Sequence, residues 1–252
     1  MNILITICGR AGSKGIKEKN VREFLGYPLP YFTLSAIDLY KQLDPSHQID
    51  VVVNTDSQRL IQLSQENPFV KTYIIQREES LGGDLVPKTD VIRNCLEQME
   101  QRLQCKYDMV VDLDLTSPLR KVEDIKNLID THIEKKPEIT FSVTDSRRNP
   151  YFNMVKETPD GYKRVIESNF VARQQAPIIY DMNASMYAYN PQYFGTGKAL
   201  LAAHCQAIKM TDTAVLDLDH EGDFELMQVI AEYLFRKDRG FAEIYENIQK
   251  HQ

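Results

Sequence analysis

Asn2-Ile-Leu-Ile-Thr-Ile-Cys8 runs directly into Gly9-Arg-Ala-Gly-Ser-Lys-Gly15 and then Ile16-Lys-Glu-Lys-Asn20. A short apolar run closed by glycines predicts a buried strand, and in open α/β sheets ligands bind at the carboxyl ends of such strands. Gly9, Gly12 and Gly15 let the backbone approach an anion closely, so that its N–H groups can cradle phosphate oxygens. Arg10, Lys14 and Lys19 place three cations within ten positions, which suits a triphosphate. The plainer reading is a solvated basic turn. Two familiar phosphate loops are excluded. A Walker loop needs Gly-Lys followed by Ser or Thr, whereas Lys14 precedes Gly15 here, and the dinucleotide loop needs a different glycine spacing.

Outward from this loop, apolar runs alternate with longer amphipathic segments. Strands are expected at 3–8, 49–54, 72–75, 107–115 and 139–143, and helices at 30–43, 58–66, 86–101 and 122–134. Asp50-Val-Val-Val-Asn54 reads as buried on both faces, as parallel strands are. The alternation predicts an α/β fold, a single domain over 1–252 with a mostly parallel sheet and helices on both faces. From 223 to 249 a long helical tract is expected to break near Lys237-Asp-Arg-Gly240. The stretch 146–190 departs from the rhythm, being rich in Asn, Pro, Tyr and Arg, with extended runs at 151–155 and 184–189. It reads as an inserted arm of strands and loops, of the kind that lies at a subunit contact.

With 252 residues, 42% of them apolar, the chain can bury a core without disulfides or zinc. Its net charge of −6 and lack of a basic stripe argue against a general nucleic-acid binder. Cys8, Cys95, Cys105 and Cys205 are scattered with no CxxC spacing, which fits a reducing cytoplasm. No apolar run is long enough for a membrane span, and the first strand is too short for a secretory signal.

Two pairs of acids stand out. In Val215-Leu-Asp-Leu-Asp219 an extended backbone puts Asp217 and Asp219 on one face, and the pair suits Mg²⁺ or Mn²⁺. In Val110-Val-Asp-Leu-Asp-Leu-Thr-Ser-Pro-Leu-Arg120, Asp112 and Asp114 form a second such pair at the end of an apolar strand. Solvated acids at a strand end are the alternative for both.

The first loop also carries a resemblance. Residues 5–20 are similar to the first motif of the acylneuraminate cytidylyltransferases, I-P-A-R-x-x-S-K-G-x-x-x-K-N, with Arg10, Ser13, Lys14, Gly15, Lys19 and Asn20 in register and Cys8-Gly9 replacing Pro-Ala. Further landmarks resemble the family in the same order: Asn54-Thr-Asp56, Arg77 with Ser80-Leu-Gly-Gly-Asp84, Thr116-Ser-Pro-Leu-Arg120, Arg173-Gln-Gln-Ala-Pro177, Asn183 with Tyr187, and Asp217-Leu-Asp219. The resemblance implies a nucleotidyltransferase domain that joins CTP to a 2-keto-3-deoxy sugar acid, releasing pyrophosphate. It assigns catalysis to Arg10 and Lys19. The nucleotide would be held by these two with Ser13, Lys14, Gly15, Asn20, Arg77 and Asp84, and the sugar by Asp114, Thr116, Ser117, Arg120, Arg173, Gln174, Asn183 and Tyr187. Metal falls to Asp217 and Asp219. It also implies a cytoplasmic homodimer.

Two departures matter. Asp114 stands where the family commonly has Gln; it can ligate metal, as an aspartate near this place does in the related Kdo enzymes, or hydrogen-bond the sugar. Ala184 stands where Gly usually follows Asn183, so the backbone there must tolerate a Cβ. The sugar thus stays open among N-acetylneuraminate, legionaminate, pseudaminate and related acids. A glycosyltransferase using D-x-D, and a non-catalytic sugar-nucleotide sensor, are the rival readings.

Overall fold

Side chains of β1 (Asn2–Cys8) alternate between two cores: Ile3, Ile5 and Ile7 enter one, and Leu4 the other. A computed structural model describes the chain except for Ser13, Lys14, Asp84, residues 213–217, Asp219 and Gln252. After β1 come a two-residue ribbon, β2 (Glu23–Phe24) with β3 (Tyr27–Pro28), and α1 (Leu29–Leu43). The chain continues through β4 (Gln48–Thr55), α2 (Gln58–Glu66), β5 (Thr72–Gln76), α3 (Lys88–Leu103), β6 (Met109–Leu113), α4 (Val122–Lys135) and β7 (Ile139–Asp145). A hairpin of β8 (Val155–Thr158) and β9 (Gly161–Arg164) follows, then β10 (Tyr180–Tyr189), β11 (Cys205–Lys209), α5 (Glu221–Lys237) and α6 (Arg239–Lys250).

The main sheet has the order β11-β7-β10-β6-β1-β4-β5. Every neighbouring pair is parallel except those made by β10, which runs antiparallel between β7 and β6. β6 and β4 lie on opposite sides of β1, so the crevice at their carboxyl ends is the topological switch point where α/β sheets take ligands.

Helices cover both faces. One core packs Leu34 and Ile37 of α1, Ile125 and Leu128 of α4, Phe224 of α5 and Phe241 of α6 against the sheet, while the other packs Ile92, Cys95 and Met99 of α3. Burying one such side chain contributes about 1.5–3 kcal/mol, so packing rather than propensity sets where these helices lie. The break in the C-terminal tract falls at Asp238, whose extended backbone ends α5 and whose side chain accepts from Gly240 N at 2.9 Å to cap α6.

Three local expectations are corrected. The run at 151–155 is turn up to Met154, with only Val155 extended as the start of β8, because Asn149 O accepts from the backbone N–H groups of Phe152, Asn153 and Met154 and closes the chain on itself. Residues 184–189 do not project from the sheet; they belong to β10, inside it. The strand expected at 107–115 is confined to Met109–Leu113. The edge strand β11, half-exposed and with little apolar alternation, has no counterpart in the expected set.

Candidate active site

The glycine-rich loop leaves β1 at the switch point. Gly9 N extends the ladder by donating to Asn54 O at 3.1 Å, and Ala11 N donates to Asp56 Oδ1 at 2.6 Å, so the loop is pinned to the end of β4. A Cβ on Gly9 would come within 2.8 Å of the side chains of Leu60 and Leu115, which is the packing reason for glycine there. Asn20 Nδ2 donates to Arg10 O at 3.0 Å, folding the loop's far end back on its start.

Beside this loop lies a cleft of about 280 Å³ whose wall includes Arg10, Lys19, Asn20, Arg77 and Thr116. Arg77 is aimed by Asn54, whose Oδ1 and backbone O accept from its guanidinium at 2.8 and 3.2 Å. Lys19 Nζ donates to Leu218 O at 2.8 Å. Gly15 is exposed outside the cleft wall, and Ser13, Lys14, Asp84, Asp217 and Asp219 lie outside the described residues.

A second, larger cavity of about 620 Å³ opens on the other side of Asp114. Tyr187, Tyr189, Tyr193 and Phe194 form part of its wall; the Tyr187–Tyr189 and Tyr189–Tyr193 rings stack at 5.9 and 5.8 Å. Lys88, Arg93 and Lys198 contribute cations to the same wall. An aromatic surface with a few cations suits a sugar that carries a carboxylate.

Among the described residues, the two cavities share only Lys88 and Asp114. Asp112 and Asp114 do share a face, as their spacing predicts, and one ammonium meets both: Lys88 Nζ lies 2.8 Å from Asp112 Oδ2 and 2.9 Å from Asp114 Oδ2. Thr6 Oγ1 donates to the other Asp112 oxygen at 2.8 Å, and Thr116 donates its N–H and Oγ1–H to Asp114 Oδ1 at 2.8 and 2.6 Å. Burial pushes the Asp114 carboxyl up, but Lys88 and the Thr116 hydrogen bonds outweigh it and hold it at about 2. Burial likewise opposes charge on Lys88, yet the Asp112 and Asp114 carboxylates hold its ammonium well above the ordinary lysine range.

The remaining predicted sugar residues separate into groups. Thr116 and Tyr187 reach cavity walls. Ser117 and Arg120 lie beneath the loop: Ser117 Oγ donates to Ser185 Oγ at 2.7 Å, and the buried Arg120 donates to the backbone oxygens of Asp114 and Ser117. These contacts hold the Asp114 turn in shape. Asn183 is built into the sheet, its Oδ1 accepting from Ser142 Oγ at 2.6 Å. Arg173 and Gln174 sit on an exposed 3₁₀ turn away from both cavity walls, with Arg173 donating to Arg147 O.

Lys88, Tyr189, Tyr193 and Phe194 were not anticipated. A signal for Lys88 existed: it opens α3 directly after Pro87, where the helix dipole disfavours a cation. Such a misplaced charge points to acids elsewhere in the fold.

The sheet order, the switch-point cleft and the adjoining cavity define a nucleotidyltransferase-like fold. A solved structure of CMP:2-keto-3-deoxy-manno-octonic acid synthetase complexed with CTP superposes with a TM-score of 0.64 at 13% identity, covering 92% of this chain and 99% of that one. The cytidylyltransferase family model matches residues 4–251, and the chain belongs to that family. It is 31% identical over 231 residues to the post-translational flagellin modification protein B of Campylobacter coli, covering 90% of this chain and 94% of the relative. It is 31% identical over 228 residues to the CMP-N,N'-diacetyllegionaminic acid synthase of Campylobacter jejuni, with the same coverages.

Proposed function

We propose that this cytidylyltransferase activates a nine-carbon 2-keto-3-deoxy sugar acid with CTP. The observation that carries the reading is the pair of adjoining cavities: a cleft lined by Arg10, Lys19 and Arg77, and an aromatic one bearing cations, joined at Asp114 and Lys88. CTP would occupy the first and the sugar acid the second, bringing the C2 hydroxyl to the α-phosphorus. The C2–O–P bond forms as the α–β phosphoanhydride breaks, pyrophosphate leaves, and the hydroxyl proton passes to solvent. Positioning and charge neutralisation dominate such transfers. Arg10 and Lys19 would stabilise charge growing on the leaving pyrophosphate, while Arg77, braced by Asn54, would hold the nucleotide.

The resemblance adds a divalent metal at Asp217 and Asp219, two hard carboxylate donors of the kind Mg²⁺ or Mn²⁺ takes. Support comes from Leu218, the residue between them, whose carbonyl accepts from Lys19 of the cleft. When bound there, the ion would neutralise phosphate oxygens. Among the described residues no cluster of three acidic, His or Cys side chains competes for it.

The homodimer belongs to the same proposal. It is supported by exposed apolar residues on and beside the β8–β9 hairpin, among them Val155, Tyr162, Ile166, Val171 and Ile178. All four cysteines are free, which suits a reducing cytoplasm, and no helix among the described residues is long and apolar enough to cross a membrane.

Incubation with labelled CTP tests the reaction. Label at the α-phosphate should pass into a CMP-sugar, and label at the γ-phosphate into pyrophosphate. Transfer of sugar from a preformed CMP-sugar to an acceptor, without pyrophosphate, would instead establish the glycosyltransferase reading.

A further inference from the structure

Lys88 is the cation at the joint of the two cavities, and no sequence motif accounts for it. We propose that its ammonium is the resident cation of the Asp112–Asp114 pair, standing where a divalent ion would otherwise bind, and that Lys88 thereby positions Asp114 toward substrate instead of metal. The inference goes beyond the reaction proposed above, since it concerns how one carboxylate pair is neutralised and needs no turnover to be tested.

Asp112 is fully buried, and a carboxylate in that setting needs a partner charge. Thr6 takes one of its oxygens and Lys88 the other. On Asp114, Thr116 engages Oδ1 twice and Lys88 engages Oδ2. Three of the pair's four carboxylate oxygens therefore accept hydrogen bonds from the protein, and the fourth, Asp112 Oδ2, is held by the Lys88 ammonium as an ion pair. A hard cation needs oxygens at about 2.0–2.1 Å for Mg²⁺, and it would have to enter the space Lys88 Nζ fills, against like charge.

Charge balance points the same way. The buried Arg120 guanidinium bonds the backbone oxygens of Asp114 and Ser117 in the same turn, so a second cation stands beside the pair, with Asp124 as its further acidic neighbour. Lys88 and Arg120 together offset the charge of the Asp112–Asp114 pair itself. The Asp114 side chain keeps 25% of its surface exposed, and it borders both cavities. Oδ1 accepts twice and Oδ2 once, so Oδ2 keeps one lone pair for a hydroxyl of the bound substrate.

Counting Mn²⁺ ions bound to the full chain, by the electron paramagnetic resonance of free Mn²⁺ with no nucleotide or sugar present, tests the proposal. Wild type and Asp114→Asn should bind the same number of ions. Lys88→Met should bind one more, Lys88→Arg none extra, and Asp114→Asn in the Lys88→Met background should abolish the gain. Loss of an ion in Asp114→Asn alone would overturn the proposal, as would a folded Lys88→Met variant with no gain. Should Lys88→Met fail to fold, the comparison of wild type with Asp114→Asn still decides.

Discussion

The Lys19 ammonium donates to the carbonyl oxygen of Leu218 at 2.8 Å, joining the first loop to a residue 199 positions away. Leu218 is buried and stands between Asp217 and Asp219, so Lys19 is bound both to the cleft and to the acidic segment.

Loss of Lys19 should therefore show two effects. Lys19→Ala should lower turnover by roughly a hundredfold, about 3 kcal/mol of transition-state stabilisation, and should also raise the Mg²⁺ concentration needed for half-maximal rate. Arg10→Ala should lower turnover to a similar degree without moving the metal requirement. Steady-state kinetics across a Mg²⁺ series distinguishes the two, and turnover within threefold of wild type for both would remove them from the chemistry.

Ala184 adopts a left-handed backbone with φ of 53° where β10 shifts register, and its side chain borders the larger cavity. For an alanine that conformation costs about 1–2 kcal/mol, against about 0.5–1 kcal/mol lost on placing glycine in a strand. Ala184→Gly should therefore be neutral or more stable by up to about 1.5 kcal/mol, read from the denaturant midpoint. Removal of the Cβ should also change the KM of the sugar more than that of CTP. Destabilisation by 1 kcal/mol or more would contradict this account.

His132 is buried on α4 with Nδ1 3.0 Å from Thr140 Oγ1, and burial lowers its pKa to about 4 from the ordinary 6.5. The unfolded chain then binds more protons between those values, so stability should fall as pH drops from about 6.5 to 4. At about 1.4 kcal/mol per pH unit the loss from this residue is on the order of 3 kcal/mol. Urea unfolding of wild type and His132→Gln across this range should show a shallower acid slope in the variant. Parallel slopes would contradict the assignment.

The parts of the fold that were legible in the sequence are those with strong periodicity. β1, β4 and α2 lie within a residue of their expected bounds, because burial on both faces of a strand and one apolar stripe on a helix leave clear patterns. β10 was seen in part but misplaced, since its antiparallel insertion between β7 and β6 is a matter of long-range pairing that local sequence does not encode. β11 was missed because its half-exposed edge lacks a hydrophobic signature. Arg10, Lys19, Asn20, Arg77, Asp114, Thr116 and Tyr187, singled out by their motifs, line cavity walls. Lys88 leaves only the weak signal of a cation opening α3, since its acids lie far along the chain, and the Tyr189, Tyr193 and Phe194 rings, though close in sequence, read as core rather than as a cavity wall.

Base choice is expected from the family to which the chain belongs. A site that hydrogen-bonds one base edge leaves buried groups unpaired when another base binds, which costs far more than a missing methylene. UTP and ATP should be poor substrates, by a hundredfold or more in kcat/KM, and equal rates with all four nucleotides would contradict a cytidine-reading cleft.

The central claim is that the two joined cavities bring CTP and a nonulosonic acid together for nucleotidyl transfer. Its most direct test is pyrophosphate release measured with CTP, Mg²⁺ and a panel of legionaminate-type, pseudaminate-type and N-acetylneuraminate sugars, beside the eight-carbon Kdo. The account predicts stoichiometric pyrophosphate and CMP-sugar with at least one nine-carbon acid, preferred over Kdo. Absence of pyrophosphate with every nine-carbon acid, from a protein shown to bind CTP, would contradict it.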